Sequence, residues 1–388
     1  MIPFSVRMDK VTGSAIREIF ALLARPGMIS FAGGNPNPET FPSEDVAAIT
    51  AELMATAGSR VLQYGGTAGM SSLCESVCAL VGRKGISAKP EDVVILTGSS
   101  QGIDLIAKIF LNEGDAILTE APTFLGALQT FRTYGAEPVG VAVDEEGMVM
   151  EDLEEKLKAT RAKVIYTIPT FQNPTGRTMP LQRRQKMLEL AKQYGAIILE
   201  DDPYGDLRYS GTPVPPIRSL DESGETVVYL GSFSKIISPG LRVGFAIGDS
   251  RILRKLIIAK QGADVHTSNL SQAIVDQIIR SGKLWPHIEA CCAFYARQRD
   301  AMVNAIQTHL PKRVRYTVPD GGIFIWASLD EGENALELFQ KSVEANVAFV
   351  PGEHFFPDLS GKNTFRLNFS MCSPDTIEEG MQRLGRLF

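Results

Sequence analysis

The sequence predicts an α/β fold, in which a mostly parallel sheet is covered by helices and a smaller α+β unit follows it. Two observations favour this class. Short apolar runs such as "VVILT" and "AIILED" alternate with helical segments along the chain, as in parallel sheets that are buried on both faces. After a helical region that ends near residue 310, the pattern changes to strand-like segments. A chain of 388 residues is long enough for two domains.

The predicted elements follow in order along three regions. We expect an N-terminal arm over 1–30 that contains a short helix at 14–23 and packs on the small domain, then a large domain over 31–280 and a small domain over 281–388. A helix near 43–57 begins at Ser43, a favourable N-cap residue. Strands of the large domain are predicted at 93–97, 116–120, 163–169, 196–201, 227–232 and 242–248. A helical region over 268–310 precedes the small-domain strands in "RVRYTVPDGGIFIWASL", "VAFVPGEHFF" and "TFRLNFSM".

Composition and charge argue against several classes of protein. The net charge is −6, which disfavours a nucleic-acid binder because such proteins usually present a basic face. The sequence has no run of the roughly 20 apolar residues that a membrane helix needs and no signal-peptide pattern, so we expect a soluble cytoplasmic protein. Four of the five cysteines form the pairs Cys74/Cys78 and Cys291/Cys292, which are interpreted as reduced core thiols and not as metal ligands.

Polar and aromatic groups follow the carboxyl ends of five predicted strands. In open α/β sheets, ligands bind outside those ends. The segments that stand there are "GSS" at 98–100, "APTF" at 121–124, "TFQNPTG" at 170–176, "DDPYG" at 201–205 and "FSK" at 233–235. We therefore expect them to form a single site.

The acids Glu200, Asp201 and Asp202 end one apolar strand. They cannot all point the same way, because side chains alternate along a strand. We interpret Glu200 and Asp202 as a solvated strand end. A carboxylate at the buried position needs a partner, since an unpaired buried charge is very costly. Lys235 is one possible partner of Asp201, and a cationic ring nitrogen is another.

Lys235 stands alone among small hydroxyl residues just after the strand at 227–232. It is open to interpretation as a salt-bridge partner or a solvated loop lysine. Its position at the edge of a core instead favours a depressed pKa and a neutral, nucleophilic amine. Such an amine is what Schiff-base chemistry with an aldehyde requires.

A phosphate site is indicated by "TGSSQG" at 97–102, where a strand meets a helix. Helix N-termini expose N–H groups and a positive dipole end, although the same segment is also a good helix cap. Arg242 is a second candidate anchor, with bidentate geometry. No Walker motif or G-x-G-x-x-G motif follows a strand. With Asn173 as an amide donor and Phe124 as a stacking ring, the groups suit a phosphorylated aromatic aldehyde.

Six segments in order resemble the fold-type I pyridoxal-phosphate enzymes, specifically the class I/II aminotransferases. They are "GGNPNPETFP", "LQYGGTAG", "NPTG", "EDDPYG", "YGDLRYSG" and "SFSKIISPGLRVG". The branch most similar to them is that of the 2-aminoadipate/kynurenine-type aminotransferases. The resemblance covers essentially the whole chain and implies a seven-stranded, mostly parallel sheet in the large domain, with pyridoxal 5′-phosphate as cofactor.

The resemblance also implies residue roles. Lys235 would bind the cofactor aldehyde covalently and shuttle a proton, while Asp201 would pair with the pyridine nitrogen. Asn173 and Tyr204 would hold the cofactor phenolate oxygen. Ser99, Ser100, Ser232 and Arg242 would hold the phosphate, and Phe124 would stack on the ring.

For the substrate, the resemblance implies that Arg366 binds the α-carboxylate, with Asn173 and Gly34 beside it. Arg17 is a candidate from the arm, although a surface charge is an equal alternative. Tyr64 would reach the phosphate of a neighbouring subunit, which implies a homodimer with shared sites. Ordinary alternatives are a packing aromatic for Tyr64 and a surface residue for Arg366. Phe124 replaces a tyrosine, and Ser100 a glutamine, that many relatives carry.

The implied reaction is a ping-pong transfer of an amino group from an L-amino acid to a 2-oxo acid, with 2-oxoglutarate expected as acceptor. Candidate donors are 2-aminoadipate, aromatic amino acids including kynurenine, branched-chain residues and methionine. Two alternatives stay open. One is a C–S β-lyase on the same cofactor, and the other is a non-catalytic domain that senses the cofactor. No metal, nucleic acid or membrane is implied.

Overall fold

The computed structural model describes residues 5–9 and 26–388. The predicted arm helix at 14–23 and Arg17 lie outside these residues. The helices are α1 (Val6–Asp9), α2 (Ser43–Val61), α3 (Ser71–Gly82), α4 (Ser99–Phe110), α5 (Leu125–Thr133), α6 (Met150–Thr160), α7 (Leu181–Tyr194), α8 (Ile217–Leu220), α9 (Ser250–Gln261), α10 (Asn269–Arg280), α11 (Leu284–His309), α12 (Ala335–Glu344) and α13 (Pro374–Gly385). Among the described residues, no helix combines the length and apolarity needed to cross a membrane.

The strands among residues 5–9 and 26–388 form three sheets. Their bounds are β1 (Ile29–Ser30), β2 (Val93–Leu96), β3 (Ala116–Ala121), β4 (Glu137–Asp144), β5 (Gly147–Met148), β6 (Val164–Thr167), β7 (Ile197–Asp202), β8 (Val227–Ser232), β9 (Gly244–Ile247), β10 (Arg315–Tyr316), β11 (Phe324–Ser328), β12 (Val347–Ala348), β13 (Val350–Pro351) and β14 (Thr364–Asn368). The main sheet has the order β2-β9-β8-β7-β6-β3-β4-β5, and a four-stranded sheet has the order β10-β11-β14-β13.

The main sheet confirms the predicted fold class. The pairs β3–β4, β3–β6, β6–β7 and β7–β8 are parallel, whereas β9 runs antiparallel to β2 and β8. Seven strands were expected, and the eighth is the two-residue β5, which pairs antiparallel with β4. Strands β6 and β8 are buried at every position, which explains their uninterrupted apolar runs.

Two differences from the predicted elements concern β4 and the long helical region. Strand β4 was not predicted, because Pro138 and Gly140 interrupt the run and its partly exposed residues give no clear apolar pattern. The helical region predicted over 268–310 is divided into α10 and α11 at Gly282, which has φ +75°. The antiparallel four-stranded sheet packs with α11 and α13 around phenylalanines that include Phe324, Phe349 and Phe365.

The N-terminal strand joins the C-terminal part of the chain. Strand β1 pairs parallel with β12, with Ile29 opposite Val347. The backbone of Asn368 in β14 also donates to the carbonyl of Phe31. Residues 29–35 therefore lie beside the four-stranded sheet at the edge of the cavity described next. The domain boundaries at 30 and 280 stay a prediction.

Candidate active site

A cavity of about 400 Å³ lies at the carboxyl ends of the central strands and is closed on one side by the four-stranded sheet. Parallel strands bring their carboxyl ends to one edge, so segments far apart in sequence meet there. All but two of the predicted site residues line this cavity. The predicted residues that line the cavity are Gly34, Ser99, Ser100, Phe124, Asn173, Asp201, Tyr204, Ser232, Lys235, Arg242 and Arg366.

Lys235 follows β8 and reaches into the cavity. Its Nζ atom donates a 2.6 Å hydrogen bond to the carbonyl oxygen of Gly34, so its partner in the structure is not Asp201. Burial, together with the positive charges of Arg366 and Arg242, lowers the pKa of Lys235 from 10.5 to about 8. A substantial fraction of the amine is therefore neutral near physiological pH, as nucleophilic chemistry requires.

Asp201 lies at the end of β7, beneath the cavity. The hydroxyl of Tyr166 donates to its Oδ2 atom at 3.0 Å. Its Oδ1 atom is buried and has no hydrogen-bond partner among the described residues. Burial raises the pKa of Asp201 to about 7. A buried carboxylate oxygen without a donor is the feature that a cationic ring nitrogen would satisfy.

Glu200 and Asp202 are buried, so the expectation of a solvated strand end is wrong for both. They point away from Asp201, as strand alternation requires, and each finds partners distant in sequence. Glu200 accepts backbone N–H bonds from Ile217 and Arg218, both at 2.8 Å. Asp202 accepts from the Tyr229 hydroxyl at 2.6 Å and from the Lys84 ammonium at 3.1 Å. The donors to Asp202 outweigh its desolvation and lower its pKa, whereas burial still raises the pKa of Glu200 to about 7.

Arg366 is buried, which excludes the alternative of a surface residue. It projects from β14 into the cavity, where Nη1 donates to the side-chain oxygen of Asn173 at 2.8 Å and Nη2 to the carbonyl of Ala32 at 2.7 Å. Its guanidinium lies 4.1 Å from the centre of the Phe324 ring. Burial lowers the pKa of Arg366 to about 10, which still leaves it charged at neutral pH.

The opposite end of the cavity is rich in hydroxyl and N–H groups. Helix α4 begins at Ser99, directly after Gly98. Gly98 has φ +82°, and a Cβ atom there would lie 2.4 Å from the Nη2 atom of Arg242, so only glycine allows this approach. The backbone N–H of Ser234 donates to the Ser232 hydroxyl at 3.2 Å. The combination of helix N-terminus, hydroxyls and guanidinium suits a phosphate dianion.

Tyr204 and Phe124 complete the walls of the site. Burial raises the pKa of Tyr204, so its phenol is neutral and able to donate a hydrogen bond. Tyr204 packs edge-on against Phe324, with ring centres 5.7 Å apart. Phe124 lies at the start of α5 and lines the cavity.

The two remaining candidates lie elsewhere. Arg17 is outside the described residues. Tyr64 is 81% exposed and does not line the cavity of its own chain, although its ring packs edge-on against His266 at 5.8 Å.

Sequence reasoning did not identify several residues in or beside the cavity. Ser234 belongs to the hydroxyl cluster around Lys235 in "SFSK" and was visible in the sequence as such. Tyr166 is the one hydroxyl-bearing aromatic in β6, but only the pairing of β6 with β7 reveals its contact with Asp201. Phe324 and Phe355 come from the C-terminal part of the chain, where no local signal indicates a site.

Comparisons with known proteins identify similar sequences and structures. Residues 26–384 match the family described as aminotransferase class I and II. An aromatic-amino-acid aminotransferase from Thermococcus litoralis is 45% identical and aligns over 98% of this chain and 93% of its own. A 2-aminoadipate transaminase from Thermus thermophilus is 43% identical, over 99% of this chain and 96% of its own. The crystal structure of a kynurenine aminotransferase from Pyrococcus horikoshii, in complex with PMP, superposes with a TM-score of 0.95 at 44% identity, over 99% of this chain and 96% of its own.

Proposed function

Because the chain belongs to the class I and II aminotransferases, we propose that it moves an amino group from an L-amino acid to a 2-oxo acid in two successive half-reactions. The protein is an aminotransferase, and pyridoxal 5′-phosphate is its cofactor. Membership of the family and the nature of the cofactor confirm what the sequence motifs indicate. The residue roles, the substrates and the order of reaction are the subject of the proposal.

The unpartnered Oδ1 atom of Asp201 is the observation that carries the proposal. The lack of a donor at this atom supports a cationic ring bound beside Asp201, between the Lys235 amine and the hydroxyl-rich start of α4. When bound, pyridoxal 5′-phosphate supplies an aldehyde that takes up the amino group and a ring that withdraws electrons from the substrate Cα atom. The described residues therefore fit the group that the family uses.

Each end of the cofactor would have its own set of residues. Asp201 would pair with the ring nitrogen and keep it protonated, and Phe124 would cover one face of the ring. Asn173 and Tyr204 would donate to the ring oxygen. The helix start at Ser99 and Ser100, with Ser232 and Arg242, would hold the phosphate.

Lys235 would act as the base at the substrate Cα atom. Its lowered pKa, about 8, makes a neutral amine available to accept that proton. The same amine would return the proton to the acceptor in the second half-reaction. Arg366 would bind the α-carboxylate with its planar fork, with Asn173 and Gly34 lying beside the substrate.

We propose a donor of the aromatic, aminoadipate or branched-chain type, with 2-oxoglutarate as acceptor. The names of the relatives support the aromatic and aminoadipate types. The cavity wall supports an apolar side chain, since Leu125, Ile168, Phe324 and Phe355 offer apolar surface beside the polar Gln129. Residues from the arm or from a second subunit would complete the pocket. Arg17 remains a candidate there.

We also propose a homodimer with shared sites. Tyr64 and Leu62 are exposed apolar side chains of one turn, at 81% and 69% exposure. Tyr64 would reach the phosphate bound by the partner subunit. A cytoplasmic location stays a prediction.

A panel of single-turnover reactions tests the function. Purified holoenzyme is mixed with each amino acid in the absence of an acceptor, and conversion of the cofactor is followed by absorbance. We expect conversion by aromatic or aminoadipate-type donors, recovery of the aldehyde form with 2-oxoglutarate, and neither with Lys235→Ala. Lys163→Ala, which breaks an exposed ion pair with Asp115, is the control. Release of pyruvate and ammonia from cystathionine without any 2-oxo acid would instead indicate a β-lyase.

A further inference from the structure

An ion pair between a buried lysine and a partly exposed aspartate lies behind the phosphate end of the cavity. Lys260, at the end of α9, is fully buried, and its Nζ atom lies 2.9 Å from both oxygens of Asp264. Neither residue lines the cavity. Removing an ammonium group from water is costly even when it has a partner, so the burial of Lys260 calls for a structural or functional reason.

The pair is joined by hydrogen bonds to the segment that leads into α4. Asp264 Oδ2 accepts from the Thr97 hydroxyl at 2.6 Å and from the Gln101 amide at 2.7 Å. Lys260 donates to the Gln101 side-chain oxygen at 2.8 Å. Burial tends to raise the pKa of Asp264, but the bonds from Thr97, Lys260 and Gln101 outweigh it and lower the pKa. The carboxylate is therefore ionised at neutral pH.

Each polar atom of Thr97 makes a hydrogen bond to a neighbouring side chain. Its N–H donates to the Gln101 side-chain oxygen at 2.9 Å, and its hydroxyl donates to Asp264. Its carbonyl accepts from Arg242 Nη2 at 3.3 Å. Thr97 directly precedes Gly98, Ser99 and Ser100, so fixing it fixes both the start of α4 and one donor of Arg242.

The segment that carries Asp264 also contacts the turn that carries Tyr64. His266 packs against the Tyr64 ring, and the Asn269 amide donates to the backbone carbonyl of Gln63 at 2.8 Å. The residues proposed to bind this chain's own phosphate, and the one proposed to bind the partner's, are thus supported by one segment, 264–269.

We propose that Lys260 and Asp264 are positioning residues that hold Thr97, the start of α4 and Arg242 in the geometry that binds the cofactor phosphate. This role rests on the phosphate site proposed above. It is not catalytic, because neither side chain lines the cavity. Its consequence is specific: the pair affects recognition of the phosphate group, and recognition of the aldehyde and ring depends on Lys235 and Asp201 at the other end.

The test compares the affinity of the cofactor-free protein for pyridoxal 5′-phosphate and for pyridoxal, which lacks the phosphate. Asp264→Asn keeps the shape of the side chain and removes its charge. We expect it to weaken binding of pyridoxal 5′-phosphate by about 10- to 100-fold, since hydrogen bonds to charged groups are lost, and to change the affinity for pyridoxal by less than about twofold. The ratio of the two affinities therefore falls.

Thr97→Val is the second variant, and it leaves the ion pair intact. We expect the same fall in the ratio, by about fivefold, because one hydroxyl link is lost. If Asp264→Asn does not fold, Thr97→Val alone tests the positioning role. Glu154→Gln, which breaks the exposed Lys158–Glu154 pair of the same i,i+4 spacing, is the control, with both affinities unchanged.

The possible outcomes distinguish a failure of this inference from a failure of the proposed phosphate site. An equal loss for both ligands, or an unchanged ratio in both variants, would show that the pair is merely structural and would overturn the inference alone. A wild-type protein that binds pyridoxal as tightly as pyridoxal 5′-phosphate would overturn the proposed phosphate site, and the inference with it.

Discussion

Arg366 donates a 2.8 Å hydrogen bond from Nη1 to the side-chain oxygen of Asn173. The first residue lies in β14 of the small sheet, and the second follows β6 of the main sheet. The contact joins the group proposed to bind the substrate carboxylate to a group proposed to bind the ring oxygen. It places substrate recognition across the boundary between the two sheets.

Arg366→Lys tests the carboxylate site. Lysine keeps the positive charge but loses the planar fork that binds a carboxylate through two parallel hydrogen bonds. We expect KM for amino acid and 2-oxo acid to rise by about 10- to 100-fold, while the cofactor absorption band persists. Steady-state kinetics with both substrates measure this, and an unchanged KM for both would contradict the assignment.

Asp201→Asn tests the ring-nitrogen site through stability. Burial raises the pKa of Asp201 from 3.8 to about 7 in the cofactor-free protein. The folded protein then holds a proton that the unfolded chain releases, so this carboxyl group lowers the stability progressively from about pH 4 to pH 7, and the full cost remains above pH 7. We expect the cofactor-free variant to be more stable than wild type by about 1–3 kcal/mol at pH 8, and by less at pH 5.

Adding pyridoxal 5′-phosphate is expected to reverse that order, since the wild-type carboxylate gains its cationic partner and the amide does not. Thermal unfolding of both proteins, with and without cofactor, at pH 5 and pH 8, measures both effects. A variant that is less stable than wild type without cofactor at pH 8 would be evidence against a destabilising carboxylate at position 201.

Lys235 is expected to react as an amine with a pKa of about 8. Burial is the largest cause of the lowered pKa, and the positive charges of Arg366 and Arg242 lower it further. The neutral, reactive fraction of the amine therefore rises as the pH rises through about 8. Competitive labelling of the cofactor-free protein by an acylating reagent, read at this lysine by mass spectrometry, should show a midpoint near pH 8. Arg242→Gln should move the midpoint upward. A midpoint near 10.5 in the wild-type protein would rule out the depressed pKa.

Tyr64 tests the shared site through mixed dimers. Tyr64→Ala and Lys235→Ala each damage their own homodimer. In a mixed dimer, the site with an intact Lys235 would receive an intact Tyr64 from its partner. We expect mixing under conditions that exchange subunits to restore about a quarter of the wild-type activity, since about half of the dimers are mixed and each has one native site. If activity stays at the mean of the two homodimers, Tyr64 does not act across the interface.

Glu120 is expected to order two walls of the cavity. It is buried and accepts from the Thr167 hydroxyl at 2.6 Å and from the Gln172 amide at 3.1 Å, and Gln172 in turn holds Thr175 beside Asn173. Glu120→Gln places an amide donor among these donors, so we expect a loss of about 1–3 kcal/mol in the free energy of unfolding. Denaturant unfolding measures the loss, with Glu154→Gln as the exposed control, and equal stability of the two variants would contradict the role.

The sequence was most informative where local pattern and chemistry coincide. The buried strands β7 and β8 are visible as apolar runs, and the polar groups at their ends follow directly in the chain. This is why Asp201, Lys235 and Asn173 were identified, together with the family and cofactor that their motifs indicate. The same reasoning was wrong for Glu200 and Asp202, because Lys84, Ile217 and Tyr229 lie at no fixed distance from them in the sequence.

The sequence by itself determined the buried strands of the main sheet and the chemical groups at their ends, because the period of apolar residues and the residue types are local properties. Tertiary structure alone decided which of those groups meet and what they experience. The contact of Tyr166 with Asp201, the burial that moves the pKa values of Lys235 and Asp201 toward neutrality, and the ion pair of Lys260 and Asp264 behind the phosphate end all depend on strand pairing and on packing between the two sheets. These are non-local contacts, and no spacing along the chain encodes them.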